Sequence, residues 1–189
     1  MEYIKTEIEG VYILKPRLFN DARGYFTETY KKEDFDLNVG RPVEFVQDNQ
    51  SMSSRGVLRG LHYQEGKDSQ AKLVRVIQGS VLDVAVDLRK GSPTFGKYVM
   101  VELSAENMQQ LFVPRGFAHG FYVLSEQATF IYKVDNRYAP QSERTLAYND
   151  PTVNINWPIS DCNPPLLSEK DLNKALALDE VVPFEDFSN

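Results

Sequence analysis

The sequence lacks several features that would define a specialised class of protein. It has one cysteine, Cys162, so no internal disulfide can form, which fits a reducing compartment. No apolar run approaches the ~20 residues of a membrane helix. The first residues carry charges where a signal peptide needs an apolar run. We therefore predict a cytoplasmic protein that does not bind membranes, in which Cys162 is a packing residue.

Basic residues are too few for a nucleic-acid-binding protein. Lys and Arg number 21 and Asp and Glu number 27, which gives a net charge of −6. Contact with a nucleic-acid backbone needs a basic stripe, so we predict no nucleic-acid partner, although local cations can still bind a small phosphate ligand. A length of 189 residues with 42% hydrophobic content predicts a single domain spanning residues 1–189 that is large enough to have a real hydrophobic core.

Short strand-like runs recur between Gly, Pro, Asn and Asp residues. The predicted strands are residues 10–14, 24–30, 43–46, 71–77, 80–88, 97–103, 110–113, 120–124 and 128–134. Helical pattern is confined to residues 31–37 and 168–178, and the second segment begins with the capping sequence Ser-x-x-Asp. The spacing predicts an all-β jelly roll or β-sandwich with a few short helices, including a short helical C-terminal segment from about residue 168.

The only two histidines lie in segments punctuated by glycine. Residues 56–64 read GVLRGLHYQ and contain His62, and residues 114–120 read PRGFAHG and contain His119. The two segments resemble the paired motifs of the cupin superfamily, small β-barrels that hold a ligand in their mouth. Metal-binding cupins usually continue the first motif as His-x-His, whereas Gln64 stands at the second position here. Two histidines cannot close a metal site by themselves, so we predict no metal and no cofactor, and imidazoles free for acid–base chemistry.

Strand alternation indicates which polar side chains can share a pocket. Lys72 and Asp83 each lie on one defined face of a predicted strand, where they meet either a ligand or solvent, and the pattern alone slightly favours solvent. Arg59 and His62 fall on opposite faces of an ideal strand. Gly60 between them is where a bulge can re-aim one of the two side chains.

Longer strings carry a closer resemblance. They are QDN at 47–49, GVLRGLHYQ at 56–64, KLVR at 72–75, DVAVDLR at 83–89, SPTFG at 92–96, PRGFAHG at 114–120, YK at 132–133, NDP at 149–151, WP at 157–158 and LSEKD at 167–171. In this order they resemble the dTDP-4-dehydrorhamnose 3,5-epimerase family over most of the chain. The resemblance implies a jelly-roll cupin, usually a homodimer, that needs no metal. It further implies inversion of C3 and C5 of dTDP-4-dehydro-6-deoxy-D-glucose in dTDP-rhamnose synthesis.

The family's catalytic residues carry over onto matching positions. The resemblance makes His62 the base, Asp171 the carboxylate that orients its imidazole, and Lys72 the group near the C4 oxygen. It makes Tyr132 the acid on the opposite face of the sugar and suggests that His119 contacts the substrate. From the residues alone, Asp171 is equally expected as part of a helix cap, and Tyr132 and His119 as packing residues.

The nucleotide end is inferred from the same resemblance. It predicts substrate contacts by Arg23, Phe26, Glu28, Gln47, Asp48, Asn49, Arg59, Glu143 and Lys170, with Tyr138 stacked on thymine. Arginine suits a diphosphate through its forked donors, and an aromatic face suits a pyrimidine ring. Without the resemblance these residues read as scattered surface charges. In the family some N-terminal residues reach across the dimer interface.

Other functions remain open from the residues. An epimerase that inverts only C3 or only C5 fits the same motifs. A metal-dependent cupin oxygenase or isomerase is disfavoured by Gln64. A non-catalytic module that binds sugar nucleotides would keep the arginines and aromatic residues but has no need for His62 and Tyr132 together. The role of Asp83 is also open, with electrostatic support of the basic pocket residues as one possibility.

Overall fold

The computed structural model describes residues 1–160 and 163–185, so the prediction for Cys162 lies outside the described residues. These residues form helices α1 (Lys32–Val39) and α2 (Glu169–Asn173) and fourteen strands. The strands are β1 Glu2–Lys5, β2 Tyr12–Lys15, β3 Leu18–Asp21, β4 Gly24–Thr27, β5 Gln47–Ser54, β6 Leu58–Gln64, β7 Lys72–Gln78, β8 Ser80–Asp87, β9 Tyr98–Ser104, β10 Gln110–Val113, β11 Phe117–Val123, β12 Gln127–Val134, β13 Glu143–Leu146 and β14 Ala175–Leu176.

The strands assemble into two six-stranded sheets and one hairpin. The first sheet has the order β1-β2-β10-β7-β12-β5, and the second has the order β14-β13-β6-β11-β8-β9. Pairing is antiparallel within both sheets except between β13 and β14, which run parallel. Strands β3 and β4 form a separate hairpin. The frequent crossing of the chain between two antiparallel sheets confirms the predicted jelly-roll class.

Alternating side chains build one apolar core between the two sheets and one on the outer face of each. Val74, Val76 and Phe130 of the first sheet meet Val81 and Phe121 of the second in the central core. Because successive side chains point to opposite faces, the intervening residues of the same strands pack outward. On the second sheet they meet the chain after β13, and on the first sheet they meet helix α1.

Most strand predictions are confirmed, and the exceptions are instructive. Residues 43–46 were predicted as a strand but form none, because Val43 packs beside Phe35 of α1 on the outer face of the first sheet. The adjacent polar residues 47–54 form β5 instead. That strand pairs with β12 along its whole length, so backbone pairing holds it at the edge of the sheet without an apolar alternation.

Both predicted helices exist, but the second is shorter than predicted. Helix α1 ends at Gly40, which adopts a left-handed conformation with a φ of 77°. Helix α2 begins after Ser168 as predicted and ends at Asn173. The next residues, Ala175 and Leu176, pair with β13, so sheet pairing replaces the predicted helix up to residue 178. Neither helix is long and apolar enough to cross a membrane, and the same holds throughout the described chain.

Candidate active site

Both sheets contribute polar side chains to the space between them. Lys72 and Tyr132 lie on the same face as Val74 and Phe130, on β7 and β12 of the first sheet. His62 and His119 lie on β6 and β11 of the second sheet, where they are direct cross-strand partners. The two histidine segments seen in the sequence are therefore neighbouring strands, and their imidazoles face the first sheet.

A bulge places Arg59 on the same face as His62. Between the pairs His119–His62 and Phe121–Arg59, β6 advances three residues while β11 advances two. Leu61 and Leu58 pack together in the outer core of the second sheet. Arg59 and His62 consequently both point inward, which confirms that a bulge beside Gly60 re-aims one of them.

Two glycines allow the strands to approach closely at this bulge. Gly60 has a φ of 120°, and a Cβ atom there would lie 2.7 Å from the Cα of Gly120. A Cβ atom on Gly120 would lie 2.5 Å from the carbonyl oxygen of Arg59. Because any side chain would separate the strands, glycine at both positions brings the two histidine segments into register.

His62 is held by a buried carboxylate. Its Nε2 lies 2.6 Å from Oδ1 of Asp171, whose side chain is 3% exposed, while the imidazole is 30% exposed. A neutral imidazole that donates Nε2–H to a carboxylate has Nδ1 as its unprotonated nitrogen. That nitrogen is the atom able to accept a proton, so the geometry suits a general base.

Asp171 serves the helix cap and the histidine at once. Its backbone N–H donates to the hydroxyl oxygen of Ser168 at 3.1 Å, and that hydroxyl donates to Oδ2 of Asp171 at 2.8 Å. Burial opposes ionisation, but the hydrogen bonds from His62 and Ser168 hold the pKa of Asp171 below its ordinary value. The two interpretations of Asp171 from the sequence, as part of a helix cap and as the partner of the His62 imidazole, are therefore compatible.

Lys72 and Asp83 do not face solvent, so the interpretation favoured by strand pattern alone is wrong. Asp83 is fully buried, and both its oxygens accept from Nε2 of His119, at 2.9 and 3.0 Å. Burial raises the pKa of Asp83, against the opposing effects of His119 and Lys72. Burial also lowers the pKa of Lys72 to about 8, although the charges of Asp83 and Glu143 counteract this effect.

Tyr132 is a neutral donor within the same space. Burial raises the pKa of its phenol, while the nearby charge of Arg59 lowers it and that of Glu143 raises it. Its ring centroid lies 6.0 Å from that of Phe130, which itself lies 6.2 Å from the His119 ring. A phenol with a raised pKa keeps its proton at neutral pH and can donate it.

Three residues predicted to bind the nucleotide form a cluster beside His62. The Tyr138 hydroxyl donates to Oε2 of Glu143 at 2.6 Å, and Lys170 forms an ion pair with the same oxygen. Burial opposes ionisation of Glu143, but these two partners and the electrostatic interaction with His62 lower its pKa. Glu143 thus links the residues predicted to contact the nucleotide to His62.

Comparison with known proteins identifies the family. Residues 5–179 match the family described as dTDP-4-dehydrorhamnose 3,5-epimerase. The chain belongs to this family. The Shigella flexneri dTDP-4-dehydrorhamnose 3,5-epimerase is 56% identical over 173 residues, which are 92% of this chain and 94% of that protein.

Solved structures of related epimerases superpose closely. A Legionella pneumophila dTDP-6-deoxy-D-glucose-3,5-epimerase, in complex with dTDP-4-keto-L-rhamnose, is 44% identical with a TM-score of 0.92, covering 99% of both chains. A 3′-monoepimerase from Streptomyces bikiniensis, in complex with dTDP-quinovose, is 36% identical with a TM-score of 0.86, covering 93% of this chain and 87% of that one.

In this member of the epimerase family, β5 divides its predicted contacts between two faces. Gln47 donates to Asn49 at 2.7 Å, and Asn49 is the cross-strand partner of Tyr132. Asp48 lies on the other face, where its carboxylate accepts from Lys133 at 2.9 Å. The structure therefore groups Gln47 and Asn49 with the site and leaves Asp48 outside it.

The N-terminal contacts predicted for the epimerase family lie apart from His62 within one chain. Arg23 is at the turn of the β3–β4 hairpin, where it pairs with Asp21 and its side chain is 89% exposed. Phe26 on β4 is 69% exposed. Glu28 follows β4 and lies near Tyr3 of β1, whose pKa is raised to about 12 by burial and by neighbouring acidic groups that include Glu28. The structure does not bring these three residues together with the polar side chains around His62.

Sequence reasoning missed Ser53. Its hydroxyl oxygen accepts from Nε of Arg59 at 2.9 Å, which fixes the guanidinium of a predicted nucleotide contact. Ser53 shares a face of β5 with Asn49, so alternation along residues 47–54 is the signal that would have revealed it. That signal was lost because the polar run was not identified as a strand.

Proposed function

We propose that this chain inverts C3 and C5 of dTDP-4-dehydro-6-deoxy-D-glucose to give dTDP-4-dehydro-L-rhamnose. The C4 ketone flanks both carbons, so loss of a proton from either one gives an enolate delocalised onto the same oxygen. Each inversion then needs a base on one face of the sugar ring, an acid on the other, and positive charge or a donor near the oxyanion. One site can therefore serve both carbons.

His62 removes the proton from the carbon beside the ketone. The bonding electrons move into the ring and onto the C4 oxygen, and the proton resides on Nδ1 of His62. The resulting imidazolium is stabilised by Asp171, which receives its Nε2–H at 2.6 Å and stays ionised because its own pKa is lowered. Exchange of the captured proton with solvent restores the base.

Lys72 stabilises the negative charge that develops on the C4 oxygen. Its ammonium is enclosed between the sheets, where electrostatic interactions are stronger than in water. Asp83 and Glu143 favour its charged form, in opposition to the burial that lowers its pKa. Asp83 also accepts from His119, which leaves the other ring nitrogen of His119 for a contact with the sugar.

Tyr132 donates a proton to the carbon from the face opposite His62. The support for this assignment is that the two side chains come from opposing sheets, His62 from β6 and Tyr132 from β12. A sugar ring between the sheets would meet the imidazole on one side and the phenol on the other. The phenolate regains its proton from solvent before the next cycle. This opposition of base and acid across the two sheets is the observation that carries the proposal.

The nucleotide end completes the proposed site in a homodimer. Tyr138 stacks on thymine beside Glu143 and Lys170, and Arg59, Gln47 and Asn49 line the approach from β5 and β6. Arg23, Phe26 and Glu28 bind the nucleotide held by the partner subunit. Their support is the exposure of the β3–β4 hairpin, whose Tyr25 and Phe26 are 57% and 69% exposed. Aromatic residues left exposed in this way are typical of an interface.

The configuration of the product tests this proposal. The purified protein, incubated with dTDP-4-dehydro-6-deoxy-D-glucose, should give a product whose NMR couplings show inversion at both C3 and C5. An epimerase that inverts only C3 is the second candidate, since the Streptomyces bikiniensis 3′-monoepimerase has a similar fold at 36% identity. A product inverted at C3 alone would select that candidate, and unchanged substrate would refute both.

The rate of epimerisation is expected to fall as the pH rises through about 8, because Lys72 then loses its proton and its charge. Replacing Asp83 with asparagine removes a charge that favours protonated Lys72, so the falling limb should move to lower pH. The measurement is kcat between pH 6 and 10 for the two proteins. Asp34→Asn, which removes an exposed carboxylate paired with Lys31, is the matched control and should leave the limb in place. If kcat falls at the same pH in Asp83→Asn as in the wild-type protein, Asp83 does not favour the charged form of Lys72.

Chelators are expected to leave activity intact. Gln64 stands at the position of the second metal ligand in metal-binding cupins, and its amide is fully engaged with backbone groups. Nε2 of each histidine is bound to a carboxylate. The check is the turnover rate before and after dialysis against EDTA. Turnover that is lost on dialysis and restored by iron or zinc would support the metal-dependent alternative instead.

A further inference from the structure

Gln64 makes three hydrogen bonds, all with backbone groups. Its side chain is buried, with 4% of the residue exposed. Nε2 donates to the carbonyl oxygens of Asp68 at 2.5 Å and Arg137 at 3.1 Å, while Oε1 accepts from the N–H of Ala139 at 2.7 Å. Arg137 and Ala139 are the neighbours of Tyr138. One amide group therefore holds the peptide groups on both sides of Tyr138.

The chemistry of this position calls for a primary amide. A glutamine side chain offers two N–H donors and one carbonyl acceptor on a single group, and here all three functions are used. A glutamate would keep the acceptor but face two carbonyl oxygens without a proton to give. Leaving buried carbonyl groups unpaired is costly, so the isosteric replacement should release the backbone beside Tyr138.

Further hydrogen bonds secure the same loop, residues 135–142, to residues 65–70. The Ser142 hydroxyl donates to Asp68 Oδ2 at 2.5 Å, and the Asn136 amide donates to the Lys67 carbonyl at 2.9 Å. Gln70 donates to the Asn136 carbonyl at 2.7 Å. Tyr138 itself is 57% exposed. Its backbone is thus fixed while its ring is open to a ligand, as a stacking platform requires.

We propose that Gln64 is a positioning residue for nucleotide recognition, which fixes the ring of Tyr138 against the thymine base. This inference rests on the proposed function, because it takes thymine as the base that Tyr138 meets. Gln64 and His62 lie two residues apart on β6. Strand β6 therefore carries the catalytic base and, through Gln64, fixes the loop that contacts the nucleotide. It thereby sets the distance between the two.

The test compares Gln64→Glu with the wild-type protein. Calorimetric titration with dTDP should show about tenfold weaker binding or more, because the loop no longer presents the ring. Binding of inorganic pyrophosphate should change by less than about twofold, since it does not use Tyr138. KM should rise while kcat stays within about threefold. The control is Gln127→Glu, the same substitution at an exposed position on β12, which should alter none of these values.

A double-mutant cycle decides whether Gln64 acts through Tyr138. In a Tyr138→Ala background, Gln64→Glu should weaken dTDP binding by less than about twofold, because the ring it positions is already absent. Full additivity of the two effects would overturn the proposal. A fall in kcat with unchanged KM would also overturn it and assign Gln64 to the support of His62.

Hydrogen exchange of the wild-type protein keeps the proposal testable if the variant does not fold. The Ala139 amide, which donates to Gln64, should exchange slowly in the absence of nucleotide, and rapid exchange would contradict the proposal. Failure of the proposed function looks different. If the wild-type protein does not bind dTDP, the nucleotide assignment itself is wrong. If it binds dTDP and Gln64→Glu binds equally well, only the role of Gln64 is wrong.

Discussion

Replacing His62 with asparagine is expected to lower the rate of solvent-deuterium incorporation into the substrate by about 10²-fold or more, as for loss of a general base. Asparagine keeps a polar group of similar size, so a partner for the buried Asp171 carboxylate remains available. The measurement is deuterium content at C3 and C5, determined by mass spectrometry during incubation in deuterated water.

The dTDP affinity of the same variant is the control. It should match that of the wild-type protein, because the nucleotide contacts lie on other residues. If deuterium still enters at both carbons at nearly the wild-type rate, another group abstracts the proton. His62 would then be a residue that only orients the substrate or Asp171.

Replacing Tyr132 with phenylalanine is expected to separate exchange from inversion. The variant lacks the donor on the opposite face, so inversion should fall by about 10²-fold or more, the range typical of a lost general acid. His62 can still form the enolate while Lys72 stabilises it, and can return a deuteron to the same face. Exchange should therefore continue after inversion has been lost.

Paired measurements on this variant distinguish the outcomes. Mass spectrometry reports deuterium content, and NMR reports the configuration at each carbon. Equal loss of exchange and inversion would mean that Tyr132 positions the substrate or acts before the enolate forms. Full retention of both would make Tyr132 a packing residue beside Phe130, from which its ring centroid lies 6.0 Å.

The fold could be predicted largely because apolar alternation marks the strands of both sheets. Strand β5 was missed because all its residues except the exposed Met52 are polar, on both faces: Asn49 and Ser53 face inward, while Asp48 faces outward toward Lys133. A strand at the edge of a ligand pocket does not need an apolar face, so its pattern resembles a loop. The end of α2 was missed because pairing of β14 with β13 depends on tertiary contacts that sequence periodicity does not encode.

The parts of the site that lie within one sequence motif could be predicted. The parts that depend on which side chains are buried could not. The position of Gly60 correctly pointed to the bulge that brings Arg59 and His62 to one face. Strand pattern placed Lys72 and Asp83 on defined faces but could not show that each of them faces the opposite sheet, Lys72 from β7 of the first sheet and Asp83 from β8 of the second. Asp83 can be fully buried because His119, 36 residues away in the sequence, supplies its hydrogen-bond donor. Partners so distant along the chain meet only in the folded protein.

The most direct test of the two-face mechanism is the number and stereochemistry of deuterons taken up by wild-type protein in deuterated water. A base on the second sheet and an acid on the first predict one deuteron at C3 and one at C5, each in a product of inverted configuration. The measurement combines mass spectrometry with NMR of the isolated sugar nucleotide. Inverted product that contains no solvent deuterium, or deuterium at only one of the two carbons, would contradict the account.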